Sequence, residues 1–472
     1  MRQQNIPSQV GALFSGERSC ICLALVTVCL LCPAQEPPVA RQASPVNTTP
    51  TVPTIKETVR QVLVPVVVTD KKGHPVSHLP ASDFLVFEDE VPQRMVAFRT
   101  TYDASLEAAP LLLAHQAGGA SPVVSPARVG SESPRRTCLI CVDTLHSSFG
   151  NVDGARRALT KFFQKEQDSQ AQYALMNLSR QIDVIQDSTR DPSLVLAALA
   201  SKRFQSSILD GEASNIEWTS EQLRRLLLGF SPQACRNSDP KVPGIPQNCF
   251  AMQQRVRLFI NSSAERTSLL TRAFLQELKT VVNALADMPT ERTLILISDG
   301  FNLVPGRELH GIASAYFPDS PEWRFSERDT QPQLNELLQL AQKRNVIVYA
   351  LDSRGVYTPT STGVSNAAHQ GDANWTSGHA LDEMIQNEGT IAWENGSAMA
   401  QLAAATGGLY FHDNNDLLAG LRRAFDDGRQ RYLLAYSPSN PTADGKYRKI
   451  RVVVKDKSLR VQAKPGYWAT GS

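Results

Sequence analysis

The sequence predicts an α/β protein built on a doubly wound, mostly parallel β-sheet. Two short apolar runs, 137–142 and 293–298, are rich in β-branched residues, and each leads straight into an acidic residue, Asp143 or Asp299. Uninterrupted runs of this kind are typical of strands buried on both faces. Strand-like and helix-like segments also alternate from residue 135 to residue 430, a pattern that favours a doubly wound sheet.

Length and charge limit the classes of function. The chain has 472 residues, enough for two or three domains. Lys and Arg together number 48 and Asp and Glu number 46, so no strong basic excess is available to neutralise nucleic-acid phosphates. We therefore expect no nucleic-acid partner.

The N-terminus has the organisation of a secretory signal peptide, residues 1–34. Arg2 and Arg18 precede an apolar run over 20–32, and small residues follow at 33–35. The run is shorter than the roughly 20 residues of a membrane span. An uncleaved N-terminal anchor is the alternative. We expect an exported protein of the periplasm, cell surface or extracellular space, with no transmembrane segment after signal cleavage.

Four of the eight cysteines lie beyond the predicted signal peptide. Cys138 and Cys141 are three residues apart on one predicted strand, so their side chains point to opposite faces and form small core residues. Cys235 and Cys249 bracket a polar, Pro-containing loop. In an oxidising compartment we expect them to form a disulfide worth about 2–4 kcal/mol.

The α/β region, 135–430, shows its elements through apolar periodicity. Its predicted helices are 152–167, 192–200, 263–286, 331–344, 398–406 and 416–427. Its predicted strands are 137–142, 171–178, 183–186, 293–298, 345–352 and 408–411.

Two β segments flank that region. A Pro/Thr-rich linker, 35–57, precedes an N-terminal β segment, 58–103, and a low-complexity linker, 104–134, follows it. A hairpin-like unit is predicted from the strands 61–70 and 83–88, with a third strand at 93–98. The C-terminal segment, 431–468, supplies strands at 432–436, 447–454 and 459–463. Neither segment is large enough for its own core. Together they match an immunoglobulin-like sandwich into which the α/β domain is inserted.

Several motifs resemble one known family. Asp143-Thr-Leu-His-Ser147 and Leu296-Ile-Ser-Asp-Gly300 are similar to von Willebrand factor A domains. The segments 66–76, 348–355, 406–408 and 432–438 resemble the VWFA-related family abundant in acidobacteria. The resemblance covers most of residues 58–468. It implies a Rossmann-like A domain, export, and binding rather than catalysis.

The resemblance also implies a metal-ion-dependent adhesion site, which in this family reads Asp-x-Ser-x-Ser with a separate Thr and a late Asp. Asp143, Ser147 and Asp299 match, whereas Leu145 replaces the first Ser and supplies no oxygen. Ser206 is the nearest candidate for the Thr. Such oxygen donors suit Mg²⁺ or Mn²⁺, with one position left for a partner's carboxylate.

Two interpretations of these acids stay open. Asp143 and Asp299 are good cap and turn residues, so they fit a degenerate, metal-free site. Two unpaired carboxylates facing each other, however, are costly without a cation or proton.

The sequence thus predicts a non-enzymatic interaction module that recognises a protein or peptide presenting an acidic group. The recognition surface is the edge of the sheet where the parallel strands end, because ligands of open α/β sheets bind there. A structural cell-envelope protein whose A domain has lost metal binding is the alternative. A hydrolase is disfavoured because no Gly-x-Ser-x-Gly elbow frames Ser147.

Overall fold

The computed structural model describes residues 61–101, 136–166, 168, 170–209, 214–227, 245–317, 329–356, 393 and 395–470. The chain divides into two compact units, Met1–Glu57 and Thr58–Ser472, and these residues all belong to the second. The predicted signal peptide, the 35–57 linker and the 104–134 linker therefore lie outside the described residues. Within the described ranges, no helix is both long and apolar enough to cross a membrane.

A six-stranded sheet forms the centre of the α/β domain, which we define as the described residues from 136 to 430. Its strands are β5 (Arg136–Asp143), β6 (Ala171–Leu178), β7 (Ile182–Thr189), β8 (Glu291–Ser298), β9 (Val346–Asp352) and β10 (Tyr410–Phe411). The order is β10-β9-β8-β5-β6-β7. Neighbouring strands are parallel except β7, which runs antiparallel to β6. The predicted α/β class is confirmed, as a mixed sheet.

Helices cover both faces of this sheet. They are α1 (Phe149–Phe163), α2 (Pro192–Leu199), α3 (Lys202–Leu209), α4 (Ser214–Leu227), α5 (Ile245–Ala286), α6 (Arg307–Tyr316), α7 (Gln331–Lys343), α8 (395–406) and α9 (Leu417–Arg429). One apolar core packs α5, α7 and α8 against one face. A second core packs α1, α2, α3 and α9 against the other. The domain therefore has three layers, as a doubly wound sheet requires.

The cysteines divide between the two cores. Cys138 belongs to the core beneath α1 and Cys141 to the core beneath α5, and both are buried free thiols. Their predicted role as core residues on opposite faces is confirmed. Cys249 is disulfide-bonded, but Cys235 lies outside the described residues, so the Cys235–Cys249 pairing stays a prediction.

The flanking β segments form two antiparallel sheets with a shared core, which we call the two-sheet module. The strands are β1 (Val62–Thr69), β2 (Phe84–Glu88), β3 (Val91–Gln93), β4 (Met95–Thr100), β11 (Tyr432–Tyr436), β12 (Tyr447–Val454), β13 (Arg460–Ala463) and β14 (Gly466–Trp468). The sheet orders are β13-β1-β11-β4 and β14-β12-β2-β3. Side chains from β1, β2, β11 and β12 share one apolar cluster.

The pairings show that the two ends of the chain build this module together. β1 is antiparallel to both β11 and β13, and β12 is antiparallel to β2. The α/β domain is therefore inserted between β4 and β11, as the size of the two segments predicted. The immunoglobulin-like strand arrangement itself stays a prediction.

Two local predictions were wrong. The predicted hairpin does not form, because β1 and β2 belong to different sheets and each pairs with a strand from the C-terminal segment. The long helix begins at Ile245 rather than near residue 263. Val256 and Ile260 from this added part of the helix pack with α4 and α6 in a small separate core. The weak apolar periodicity there concealed the helix.

Candidate functional site

The central site lies where β5 and β8 end. These strands are parallel neighbours, with Val142 opposite Ile297, so the residues that follow each strand meet at one edge of the sheet. Ser298 Oγ donates a hydrogen bond to Asp143 Oδ2 at 2.6 Å, and the Asp299 backbone N–H donates to Ser147 Oγ at 2.9 Å. We call Asp143, Ser147, Ser298 and Asp299 the rim site. The structure thus brings together three of the four residues predicted from the sequence.

Asp143 is fully buried and surrounded by donors. Its Oδ1 accepts from the backbone N–H groups of Leu145 and His146 at 3.0 and 2.9 Å. Its Oδ2 accepts from Ser298 and lies 3.1 Å from His146 Nδ1. An ionised carboxylate only accepts hydrogen bonds, which assigns the ring proton to Nδ1. Because a carboxylate offers about four acceptor positions, Asp143 is saturated by the protein.

Asp299 is held by loops from two other strands. Its Oδ2 accepts from the Ser148 backbone N–H and from Asn151 Nδ2, each at 2.8 Å. Its Oδ1 accepts from Ser353 Oγ at 2.7 Å. Burial nevertheless raises the pKa of Asp299 above its usual value, against the lowering effect of these hydrogen bonds. The donors satisfy the geometry of the carboxylate without neutralising its charge.

Leu145 has a packing role at the position where the family carries a ligand Ser. The side chain is 3% exposed and belongs to the apolar core that contains Phe274 and Phe301. This explains the departure from the family motif. The loop turns its third residue into the core and turns its backbone N–H towards Asp143.

Ser206 lies in α3, and its hydroxyl donates to the Arg203 carbonyl one turn earlier at 3.0 Å. No described contact joins it to Asp143, Ser147 or Asp299. The structure therefore does not place it with the rim site.

These residues do not fit a directly coordinated Mg²⁺ or Mn²⁺. Such ions need several oxygen ligands in near-octahedral geometry. Here Leu145 supplies none, Asp143 is saturated, and Ser147 Oγ already accepts from the Asp299 N–H. Among the described residues, no cluster of three or more His, Cys, Asp or Glu side chains has metal-binding geometry.

Two ionisable side chains, His146 and Glu277, lie behind the rim. The His146 side chain is 7% exposed, and its ring packs edge-on against Phe274 with centroids 4.8 Å apart. Glu277 lies one turn further along α5. Burial, and then the charge of Asp143, raise the pKa of Glu277 to about 7, while His146 opposes this shift. No described residue bonds His146 Nε2 or Glu277 Oε2.

The loop after β8 needs a glycine. Gly300 has φ of +87°, and a Cβ there would lie 2.4 Å from the Asn395 carbonyl oxygen. The same carbonyl accepts the Phe301 N–H at 3.2 Å. This close approach fixes the start of α8 against the rim loop, in a conformation that only glycine adopts readily.

Several rim residues were not predicted as part of the site. Asn151, Ser298 and Ser353 all donate to its carboxylates. Ser298 and Ser353 each stand at a strand end, which is the only signal that pointed to them. Asp352, by contrast, pairs with Arg354 at 2.6 Å and accepts from Tyr410 OH at 3.0 Å.

Large apolar side chains are exposed at the same edge of the sheet. Phe149 begins α1 and is 61% exposed, Val356 follows β9 and is 55% exposed, and Trp393 precedes α8 and is 74% exposed. Each follows or flanks an element whose end forms the rim, so their positions along the chain place them at this edge.

Comparisons with known proteins give distant structural matches. No protein-family model matches the chain, and no curated protein matches it. An aerotolerance-related membrane protein from Bacteroides fragilis is 10% identical, with 62% of this chain and 98% of that chain covered and a TM-score of 0.25. The hypothetical protein BatB from Bacteroides thetaiotaomicron is 11% identical, with 61% and 96% covered and a TM-score of 0.25.

A third match is the vWF domain of the type V pili tip protein Mfa5 from Porphyromonas gingivalis. It is 11% identical, with 64% of this chain and 95% of that chain covered and a TM-score of 0.24. Scores this low carry no argument about function. The α/β fold therefore rests on the strand order and packing described above.

Proposed function

We propose that the chain is an exported, non-enzymatic protein-interaction module. Its α/β domain is of the von Willebrand factor A type, and its partner is a protein or peptide that docks on the edge of the sheet around the rim site. The signal-peptide pattern of residues 1–34 supports export. The motifs around Asp143 and Asp299 support the domain type.

The observation that carries the proposal is the exposure of large apolar side chains at the rim edge of the sheet. Phe149, Val356 and Trp393 are each more than half exposed at one edge of the sheet. Large apolar side chains exposed near a strand-end edge suit an interaction surface, and aromatic residues are enriched in the centres of interfaces. Loops at the strand ends are also the usual binding positions on such a scaffold.

The polar centre supports binding over catalysis. Ser147 is 3% exposed, and its Oγ accepts from the Asp299 N–H. The nearest imidazole nitrogen, His146 Nδ1, contacts Asp143. A serine nucleophile needs a base within hydrogen-bonding reach, and among the described residues no hydrogen bond joins Ser147 Oγ to either ring nitrogen of His146. The saturation of Asp143 also favours a rim that works without a resident cation.

A random-peptide library displayed on phage tests this function with immobilised protein comprising residues 35–472. We expect enriched peptides that bind saturably and lose at least about tenfold in affinity, about 1.4 kcal/mol, with the F149S/V356S/W393S variant. The matched control is L85S/V91S/L258S, which removes similarly exposed apolar side chains elsewhere, and it should retain affinity.

Two results would overturn the proposal. The absence of any saturable binder would favour the alternative, a structural envelope protein that acts by shape alone. Labelling of Ser147 by a serine-reactive probe, lost in Ser147→Ala, would instead indicate a hydrolase.

A further inference from the structure

A polar cleft of about 520 Å³ lies between α1 and α9, away from the rim. Its lining residues are Lys161, Phe162, Lys165, Glu166, Asp168, Arg422, Asp426 and Arg429. α1 begins at the rim with its cap at Ser148 and reaches the cleft at its other end. At 1.5 Å per residue, this places the cleft about 20 Å from the rim site.

The acidic groups of the cleft are each paired with a guanidinium. Arg429 Nη2 binds Glu166 Oε1 and Oε2 at 2.5 and 2.7 Å, its Nε lies 3.1 Å from Asp168, and its Nη1 lies 2.8 Å from Asp426. Arg136 also binds Asp168, at 2.5 Å. One guanidinium therefore connects all three carboxylates, and the ring of Phe162 stacks on that of Phe425.

The remaining cations of the cleft are uncommitted. Lys161, Lys165 and Arg422 are exposed, and no described carboxylate lies within ion-pair distance of them. Lys161 lies in the last turn of α1, and Lys165 lies just beyond the end of the helix at Phe163. The dipole at the end of α1 favours Lys161 but does not account for Arg422, which lies in the middle of α9. The cleft thus presents three positive charges that have no acidic partner among the described residues.

We propose that this cleft binds a carboxylate-rich segment of the partner peptide or protein. The inference rests on the proposed interaction function. It places the recognition of the partner's acidic groups at the cleft. Arg422 supplies a planar guanidinium that matches a carboxylate, and the two ammonium groups supply flexible donors on the opposite wall. The long aliphatic parts of the lysines and the edge of Phe162 give the backbone of such a segment an apolar contact.

The rim offers an acidic segment no comparable attraction. Asp143 and Asp299 are held by backbone, hydroxyl, amide and imidazole donors, so their negative charges still repel another carboxylate. At the cleft the internal acids are each paired with a guanidinium and the surplus charge is positive. Electrostatic attraction of an acid is therefore directed to the α1–α9 cleft, while the rim provides apolar contacts.

Fluorescence anisotropy with a labelled peptide of alternating glutamate and glycine tests this assignment on the protein of residues 35–472. The cleft variant is K161Q/K165Q/R422Q. The control K71Q/K72Q/K457Q removes the same charge from exposed positions of the two-sheet module. We expect saturable binding that weakens with added salt, a loss of about tenfold in the cleft variant, as three surface ion pairs would give, and no loss in the control.

Other outcomes overturn the inference. Absence of binding, or an equal loss in both variants, would mean that the cleft has no special affinity for carboxylates. Displacement of the peptide by inorganic phosphate or a sulfated polysaccharide at much lower concentration would assign the cleft to a different class of ligand. Library peptides that depend on Phe149 and Trp393 but not on the cleft would leave the proposed function standing while refuting the cleft assignment.

Discussion

Two edges of the same sheet hold buried carboxylates in opposite ways. At the rim, Asp299 accepts hydrogen bonds from Ser148, Asn151 and Ser353, yet burial keeps its pKa raised. At the other edge, burial also acts to raise the pKa of Asp168, but Arg136 and Arg429 hold it below its usual value. The neutral donors of Asp299 do not offset the effect of burial on its pKa, whereas the guanidinium charges beside Asp168 do.

A second network, at the edge of the sheet that holds Asp168, joins the α/β domain to the two-sheet module. We call this the lower edge. Arg431 immediately precedes β11 and is 1% exposed. Its Nη2 lies 3.3 Å from Tyr349 OH, and its Nη1 lies 3.8 Å from a Glu291 carboxylate oxygen. Tyr349 OH in turn donates to Asp427 at 3.3 Å. Thr101, at the end of β4, donates to the Arg429 carbonyl at 2.8 Å. This edge therefore serves as the joint between the two parts.

The largest effect is expected from Arg431→Met, which leaves the buried Glu291 and Asp427 without this cation. Removing one partner of a buried ionic network costs about 3–5 kcal/mol. Equilibrium urea unfolding measures the loss. Arg451→Met is the control, because it breaks an exposed pair with Glu90, where a change of at most about 1 kcal/mol is expected. Equal losses would show that the buried network is not the source of stability.

Asp427, at the lower edge, behaves differently from Asp168. Burial raises its pKa to about 6, despite Arg423 and Arg431. The folded state therefore binds a proton more tightly than the unfolded state, whose pKa is near 3.9. Stability from this group is present at low pH and is lost as pH rises to about 6, an effect of about 3 kcal/mol.

Asp427→Asn should remove that pH dependence. Unfolding free energies of the wild type and the variant, compared between about pH 4 and pH 7, should diverge in favour of the variant as pH rises. Parallel curves would contradict the raised pKa.

The contrast between Asp299 and Asp168 predicts opposite pH dependences. Asp299 has a raised folded pKa, so the stability it contributes is lost as pH rises through that value. Asp168 has a lowered one, so the stability it contributes appears above the unfolded pKa and is lost as pH falls through the folded pKa. Unfolding of Asp299→Asn and Asp168→Asn across pH, each against the wild type, should give slopes of opposite sign. Slopes of the same sign would refute the comparison.

The smallest signal is expected from metal titration of the rim. Calorimetry of protein freed of metal with Mg²⁺, Mn²⁺ and Ca²⁺ should show no saturable binding in the wild type or in Asp143→Ala, because protein donors saturate Asp143. Leu145→Ser supplies the missing oxygen at this buried position. Leu145→Ala is its control, because it loses the same packing without supplying an oxygen. Saturable binding by the wild type that Asp143→Ala abolishes would establish a cation site and refute the metal-free interpretation.

Much of the fold followed from the sequence because its signals are local. The apolar runs 137–142 and 293–298 correspond closely to β5 and β8, and Cys138 and Cys141 face opposite cores because strands alternate their side chains. The hairpin between β1 and β2 was wrong because strand partners are long-range. Val62 pairs with Tyr436, far along the chain, and no local pattern contains that information.

The sequence by itself placed Asp143 and Asp299 at strand ends, since the parallel register of two buried strands brings those ends to one edge. Only the tertiary structure decided how their charges are held. The donors of the rim come from three separate loops, and Arg429 meets Asp168 across 261 residues. Whether a carboxylate is left for a cation depends on these distances of about 3 Å, which arise only when the chain is folded.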